Sequence, residues 1–199
     1  SDYWFGLLDD PTDVKTPELI VSRFPVLTPE ECSAMIEKIM VDDTIAYAPW
    51  QRTFLYVGGG ETEDEGLCQI YEDMLSDKFY TGILYTEPTL CIDTITICKP
   101  TEDNPGLEIR KNLSDGVGLM NYIGHGGTEI FDIKGWDPED LTNVGRYPVM
   151  ATFSCLTGAF SNSSALCRNG QYLVQPNAGF VAAIGASGWQ YKFVVSQIH

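Results

Sequence analysis

Two residues stand where nucleophilic chemistry would need them. His125 follows the largely apolar run Val117-Gly118-Leu119-Met120-Asn121-Tyr122-Ile123-Gly124 and precedes Gly126-Gly127. Cys155 follows Tyr147-Pro148-Val149-Met150-Ala151-Thr152-Phe153-Ser154 and precedes Leu156-Thr157-Gly158. The thiolate is the nucleophilic form of cysteine, and a thiol near its reference pKa is only a few per cent thiolate at neutral pH. A neighbouring imidazole can take that proton or stabilise the anion. Glycines beside the histidine let a substrate backbone come close, and the Gly126 N–H is free to point at a developing oxyanion. This pattern predicts acyl transfer by a Cys–His pair, most simply peptide hydrolysis. Taken singly, a buried cysteine reads as inert packing and a histidine as a satisfied structural residue; the pair, each at the end of an apolar run, argues for chemistry.

The elements that must position them are strands. Short apolar runs rich in β-branched and aromatic residues, bounded by turn signals, read as buried strands. In a parallel sheet, ligands bind outside the carboxyl ends. Strands over 117–123 and 147–153 would therefore bring His125 and Cys155 to one rim. Gly179-Phe180-Val181-Ala182-Ala183-Ile184-Gly185-Ala186-Ser187 reads as another buried strand ending near that rim, so Ser187, Trp189 and Tyr191 are candidate substrate-binding residues. Trp189 has ordinary packing as its alternative.

The text around these residues resembles a known family. The segments are Asn121-Tyr122-Ile123-Gly124-His125-Gly126-Gly127-Thr128-Glu129, Asp140-Leu141-Thr142-Asn143, Tyr147-Pro148-Val149, Ser154-Cys155-Leu156-Thr157-Gly158-Ala159-Phe160 and Gly185-Ala186-Ser187. Together they resemble the gingipain family of cysteine peptidases, in the caspase–legumain–gingipain clan. That family includes secreted bacterial peptidases and the sortase-like peptidase of a bacterial secretion system. Val21-Ser22-Arg23-Phe24-Pro25-Val26 and Thr53-Phe54-Leu55-Tyr56-Val57-Gly58-Gly59-Gly60 resemble it less specifically. The resemblance implies a caspase-like α/β fold, a mainly parallel sheet with helices on both faces. By matching position it implies His125 and Cys155 as the catalytic pair of a cysteine endopeptidase. It further implies a peptide or protein substrate and a secreted or cell-surface location in a bacterium. Residues 1–199 read as a single peptidase-like catalytic domain; the resemblance implies that this domain continues past His199 and that further domains follow.

The supporting carboxylate that would orient His125 lies upstream in that family, and Glu61, Glu63, Asp64 and Glu65 are the candidates. A solvated helix start is their plainer reading. A basic residue at the cleavage position would need an acid at the pocket base, which the acidic stretch after Gly60 is able to supply. The rival reading is a non-catalytic surface or binding module that has kept a peptidase fold; the presence of both His125 and Cys155 argues against it. A different α/β hydrolase is disfavoured because no Gly-x-Ser-x-Gly occurs.

Bulk properties narrow the classes. The formal net charge of −16 makes nucleic acid a poor partner. No apolar run approaches the roughly 20 residues that span a bilayer, and no charged segment followed by an apolar core opens the chain at Ser1. The chemistry requires no cofactor. Asp9-Asp10-Pro11-Thr12-Asp13 and Glu61-Thr62-Glu63-Asp64-Glu65 are the candidate calcium clusters, and neither matches a helix–loop–helix calcium loop. The six cysteines include no C-x-x-C pair, which argues against a zinc ribbon or a thioredoxin-type site.

Elsewhere, Thr28-Pro29-Glu30-Glu31 starts a helix from Pro29 to about Val41, with Thr28 as N-cap and Pro29 at the first position. Tyr3–Leu8 reads as a first strand or an ordered extended entry, Leu19–Phe24 and Thr53–Val57 as strands, and Glu65 to about Leu75 as a helix. Gly82–Tyr85 and Asp93–Ile97 form either a hairpin or separate strands of the main sheet. Pro105 to about Ser114 is a helix stopped by Asp115-Gly116, and Asp137-Pro138 starts a short one.

Overall fold

The computed structural model describes residues 5–7, 19–61, 68, 92–161 and 164–190. Its centre is a five-stranded sheet, every neighbouring pair parallel. The strands are β1 (Thr53–Gly58), β2 (Asp93–Cys98), β3 (Leu119–Ile123), β4 (Val149–Phe153) and β5 (Ala182–Gly185), in the order β2-β1-β3-β4-β5. The described α-helices are α1 (Pro29–Thr44), α2 (Pro105–Asp115) and α3 (Arg168–Val174). Parallel strands cannot be joined by a tight hairpin; α2 lies on the path from β2 to β3, which flank β1, and α3 on the path from β4 to its neighbour β5.

The burial pattern explains the hydrophobic runs. Leu55 to Gly58 and Met120 to Ile123 are buried without alternation, as expected of strands covered on both faces. Leu55, Val57, Ile97, Met120 and Met150 share one face by register and join the main core with Met35 of α1, Ile109 and Leu113 of α2, and Tyr172 and Leu173 of α3. The opposite face carries buried Tyr56 and Ile123. There Cys68, itself helical, sits where a Cβ on Gly58 would be, its Sγ only 2.6 Å from that position.

The helix starts follow their chemistry. The Thr28 hydroxyl accepts from the Glu31 N–H at 3.2 Å while the Glu31 carboxylate accepts from the Thr28 N–H at 3.2 Å, a reciprocal cap. Asn104 caps α2 through the Leu107 N–H at 3.2 Å, and α2 stops at Gly116, whose φ of 100° suits glycine.

Several expectations are corrected. Leu19–Phe24 is not a strand: among the described residues it pairs with no sheet neighbour, and Ile20, Val21 and Phe24 are exposed. The stretch after Asp137 is only a 3-10 turn, Pro138–Asp140, because Leu141 returns at once to extended backbone. β5 is not a buried strand but a short outer one, with Ile184 70% exposed. Asp93–Cys98 belongs to the main sheet, pairing in parallel with β1. Phe5 and Gly6 lie in a 3-10 turn; the remaining expectations for 1–4 and 8–18, Gly82–Tyr85, and the helix from Glu65 apart from Cys68 fall outside the described residues.

One buried charge ties α1 to the sheet layer. Lys38, 2% exposed, donates through Nζ to the carbonyls of Tyr172 at 3.2 Å and Ala178 at 3.0 Å, at the carboxyl end of α3. Burial lowers its pKa to about 7; the two carbonyls and the helix end pull the other way by favouring the ammonium. Between pH 7 and 10.5 the unfolded chain therefore holds more protons than the folded one, so stability rises with pH across that window. Denaturant unfolding at pH 6, 8 and 10 checks this: the wild type is expected to gain stability over the series relative to Lys38→Met. Parallel profiles for the two proteins exclude such a role for Lys38.

Candidate active site

The register of β3 on β4 sets the geometry. Ile123 pairs with Phe153. His125 lies two residues beyond the first and Cys155 two residues beyond the second, so they occupy equivalent positions past the carboxyl ends of adjacent parallel strands. The Gly124 N–H still reaches the Phe153 carbonyl at 3.5 Å, carrying the ladder past the strand ends. The two turns then touch. A Cβ added to Gly126 would lie 2.2 Å from Ser154 Oγ and 3.0 Å from Thr157 Cγ2, so the close approach needs glycine.

The histidine turn is held by its backbone and leaves its side chain exposed. The His125 carbonyl accepts from the Asp132 N–H at 3.2 Å and lies 3.1 Å from the Tyr122 hydroxyl. That hydroxyl is also bonded to the Asp132 carboxylate. It has one proton, and the charged acceptor is the stronger claimant. Asp132 also accepts from the Gly60 N–H at 2.5 Å and faces Lys99 at 3.5 Å, tying the end of β1 to this turn. The Gly127 N–H donates to the Ile130 carbonyl at 2.9 Å, making Gly126 and Phe131 a non-hydrogen-bonded antiparallel pair. The Gly126 N–H is thus not consumed by that bridge.

The rest of the connection is anchored by aromatics. Phe131 stacks on Trp136 with ring centres 5.0 Å apart, and Trp136 stacks on Tyr172 at 5.0 Å. The Tyr172 hydroxyl donates to the Trp136 carbonyl at 2.8 Å, and Trp136 Nε1 donates to the Ile133 carbonyl at 2.9 Å. Arg168 lies over the Tyr172 ring at 4.9 Å and pairs with Asp137. These contacts fix the connection carrying His125 to α3.

The cysteine turn is built differently. Leu156 has a φ of 61°, uncommon for a branched side chain and a mark of a turn held by its surroundings. Beneath it the Thr152 and Thr157 hydroxyls lie 2.9 Å apart, and Asn169 Nδ2 donates to Thr152 Oγ1 at 2.9 Å. The Asn169 N–H donates to the Thr157 carbonyl at 3.0 Å. The chain after β5 runs alongside: the Leu156 N–H donates to the Gly188 carbonyl at 2.9 Å and the Gly158 N–H to the Ala186 carbonyl at 2.8 Å. Cys155 itself is half-buried, with Sγ 3.3 Å from both the carbonyl oxygen and the N–H nitrogen of Gln190.

A groove of about 710 Å³ opens beside this turn, lined by Gly158, Phe160, Ile184 and Ser187 on one side and by Val21 and Phe24 on the other. Ser187 lines this groove, whereas Cys155 and His125 do not. Trp189 does not line it and stands 75% exposed, and Tyr191 lies outside the described residues. Glu61 is paired with Lys99 at 2.6 Å; Glu63, Asp64 and Glu65 lie outside the described residues, as does the Asp9–Asp13 cluster. Among the described residues no group of three or more His, Cys, Asp or Glu side chains is arranged to hold a metal ion. No helix among them is long and apolar enough to cross a membrane.

The sequence reading missed Tyr122, Asp132, Ser154, Asn169 and Gln190. Only Ser154, beside Cys155, carried a positional signal; the others reach the site through the fold.

The profile of peptidase family C25 matches residues 1–199. No curated protein matches the chain. Among solved structures, the crystal structure of the Arg-specific cysteine proteinase gingipain R (RgpB) is 21% identical with a TM-score of 0.67, covering 96% of this chain and 44% of its own. The complex of Porphyromonas gingivalis RgpB pro- and mature domains is 20% identical with a TM-score of 0.70, covering 96% and 45%. A third structure, described as a protease, is 19% identical with a TM-score of 0.72, covering 96% and 40%. At such identity the likeness establishes the fold, the caspase-like α/β arrangement expected from the sequence. The chain spans less than half the length of each of these relatives.

Proposed function

The chain belongs to peptidase family C25, and from that premise we propose that it is a cysteine endopeptidase acting on protein substrates through Cys155 and His125. The observation that carries the reading is the Ile123–Phe153 register, which sets the two side chains at matching positions beyond adjacent strands. In this mechanism Cys155 Sγ attacks the scissile carbonyl carbon. The carbonyl π electrons move to oxygen, where the Gly126 N–H, and that of Cys155, stabilise the negative charge. His125 takes the thiol proton and passes it to the leaving amine as the C–N bond breaks. Water, deprotonated by the same imidazole, then cleaves the thioester and restores the thiol. Ser187 at the groove is assigned to substrate contact. Trp189, exposed beside it, is assigned to the outer rim of the same surface.

The kinship with a Porphyromonas gingivalis proteinase supports a bacterial secreted or cell-surface protein. The structure of that relative's pro- and mature domains together supports further domains as partners of this one.

The reading is tested with a peptidyl acyloxymethyl ketone, with the adduct mapped by mass spectrometry. A single adduct on Cys155, lost in His125→Ala, is the expected result. Equal labelling of several cysteines, indifferent to His125, identifies a binding module with a peptidase fold.

A further inference from the structure

Gln190 brackets the proposed nucleophile with its main chain. Its N–H donates to Cys155 Sγ at 3.3 Å, and its carbonyl accepts from the thiol at 3.3 Å. In an antiparallel pairing a strand residue exchanges those same two groups with the residue opposite. The sulfur thus occupies the position that one residue of an extended peptide would take. Two further bonds, Leu156 N–H to the Gly188 carbonyl and Gly158 N–H to the Ala186 carbonyl, lay the strap 186–190 against the cysteine turn. The strap is not fully settled there, because among the described residues the buried Gln190 Oε1 has no hydrogen-bond partner. A buried acceptor left unpaired opposes the closed state. Among the described residues nothing lies within 4 Å of where a Cβ on Gly188 would be, so no side chain crowds the strap at that point.

We infer that the resting site is self-latched: the Gln190 main chain holds the Cys155 thiol, and an extended peptide releases it by taking over the same N–H and C=O. The inference rests on Cys155 being the nucleophile. While latched, the thiol proton is committed to a carbonyl and is not shared with an imidazole. Pairing of a substrate backbone with Gln190, in the manner of strand addition, frees the S–H for transfer to His125. The latch leaves the thiol unreactive until a backbone of the right geometry is in place. Gln190 is a positioning residue in this scheme, acting through its main chain.

Gln190→Pro removes the N–H and puts a ring carbon in its place. Iodoacetamide, small and neutral, then reads the state of the sulfur. Cys155 alkylation is expected to be roughly tenfold faster in Gln190→Pro than in the wild type, while turnover of a peptide substrate falls. Unchanged or slower alkylation in a folded variant overturns the latch. A second measurement needs no change in the strap: in Cys155→Ala the Gln190 amide is expected to exchange with solvent roughly tenfold faster, with the Leu156 and Gly158 amides unaltered. An unaltered Gln190 amide also overturns it. Wild-type hydrolysis is assayed alongside. Faster alkylation in Gln190→Pro with no hydrolysis by the wild type leaves Gln190 holding the sulfur but removes the peptidase reading and, with it, release of the latch by substrate. Hydrolysis with unchanged alkylation removes the latch alone.

Discussion

Cys155→Ala is expected to reduce peptide hydrolysis to the solvent background, with little change in thermal unfolding. The first half follows from the covalent route: without the sulfur there is no acyl-enzyme, and the remaining groups can only orient water. The second follows from the surroundings. Cys155 is half-buried and its sulfur makes two long contacts to one strap residue, whereas the turn itself is held by Thr152, Thr157 and Asn169. His125→Ala should cost about 10²- to 10⁴-fold in kcat/KM, the range for losing a positioned acid–base group. Its side chain is exposed, so stability is again expected to hold. Assays of both variants with a quenched-fluorescent peptide mixture, alongside melting curves, check these numbers. Residual hydrolysis in Cys155→Ala within tenfold of wild type assigns the chemistry to another group.

Gly126→Ala is expected to lower kcat by about 10²- to 10³-fold, the cost of losing one oxyanion donor. The added methyl would meet Ser154 Oγ at 2.2 Å and Thr157 Cγ2 at 3.0 Å. Neither neighbour can withdraw easily, since Ser154 is buried and Thr157 is hydrogen-bonded to Thr152. The histidine turn must therefore move away from the cysteine turn, and the Gly126 N–H moves with it. The steric cause has its own control. Ser154→Gly removes the hydroxymethyl group that obstructs the methyl, so the double variant should recover activity relative to Gly126→Ala. KM is expected to change less than kcat, because the donor acts on the transition state. If Gly126→Ala retains wild-type kcat, the oxyanion site lies elsewhere.

The sequence discloses the strands of the site because parallel strands buried on both faces leave continuous apolar runs. Thr53–Val57 and the runs ending at Ile123 and Phe153 were legible for that reason; Asp93–Ile97, half-exposed, was legible from its β-branched residues, and the cap at Thr28 from its proline and acids. The glycines around His125 were legible as places of close approach, although only the fold shows that Ser154 is what approaches Gly126. α3 was not legible: Gly170 sits inside it, Cys167 at its start makes no side-chain cap, and it is barely two turns long. β5 looked buried because its composition matches an inner strand, and burial is decided by what lies alongside. Leu19–Phe24 looked like a strand for the same reason. Asp132 holds His125 through the histidine's main-chain carbonyl and takes the Tyr122 hydroxyl on its carboxylate, contacts that leave no pattern in side-chain spacing. Gln190 likewise uses only its main chain, contributed from beyond a different strand.

The matched overhangs past Ile123 and Phe153 work as a vernier. Because side chains alternate along extended backbone, dropping or adding one residue in Gly124-His125 or Ser154-Cys155 would leave the ladder intact while aiming the wrong group at the cleft. Length is therefore constrained at two dipeptides. At Val144-Gly145, where Val144 is exposed and among the described residues no atom lies within 4 Å of a would-be Gly145 Cβ, added length would leave that alignment undisturbed.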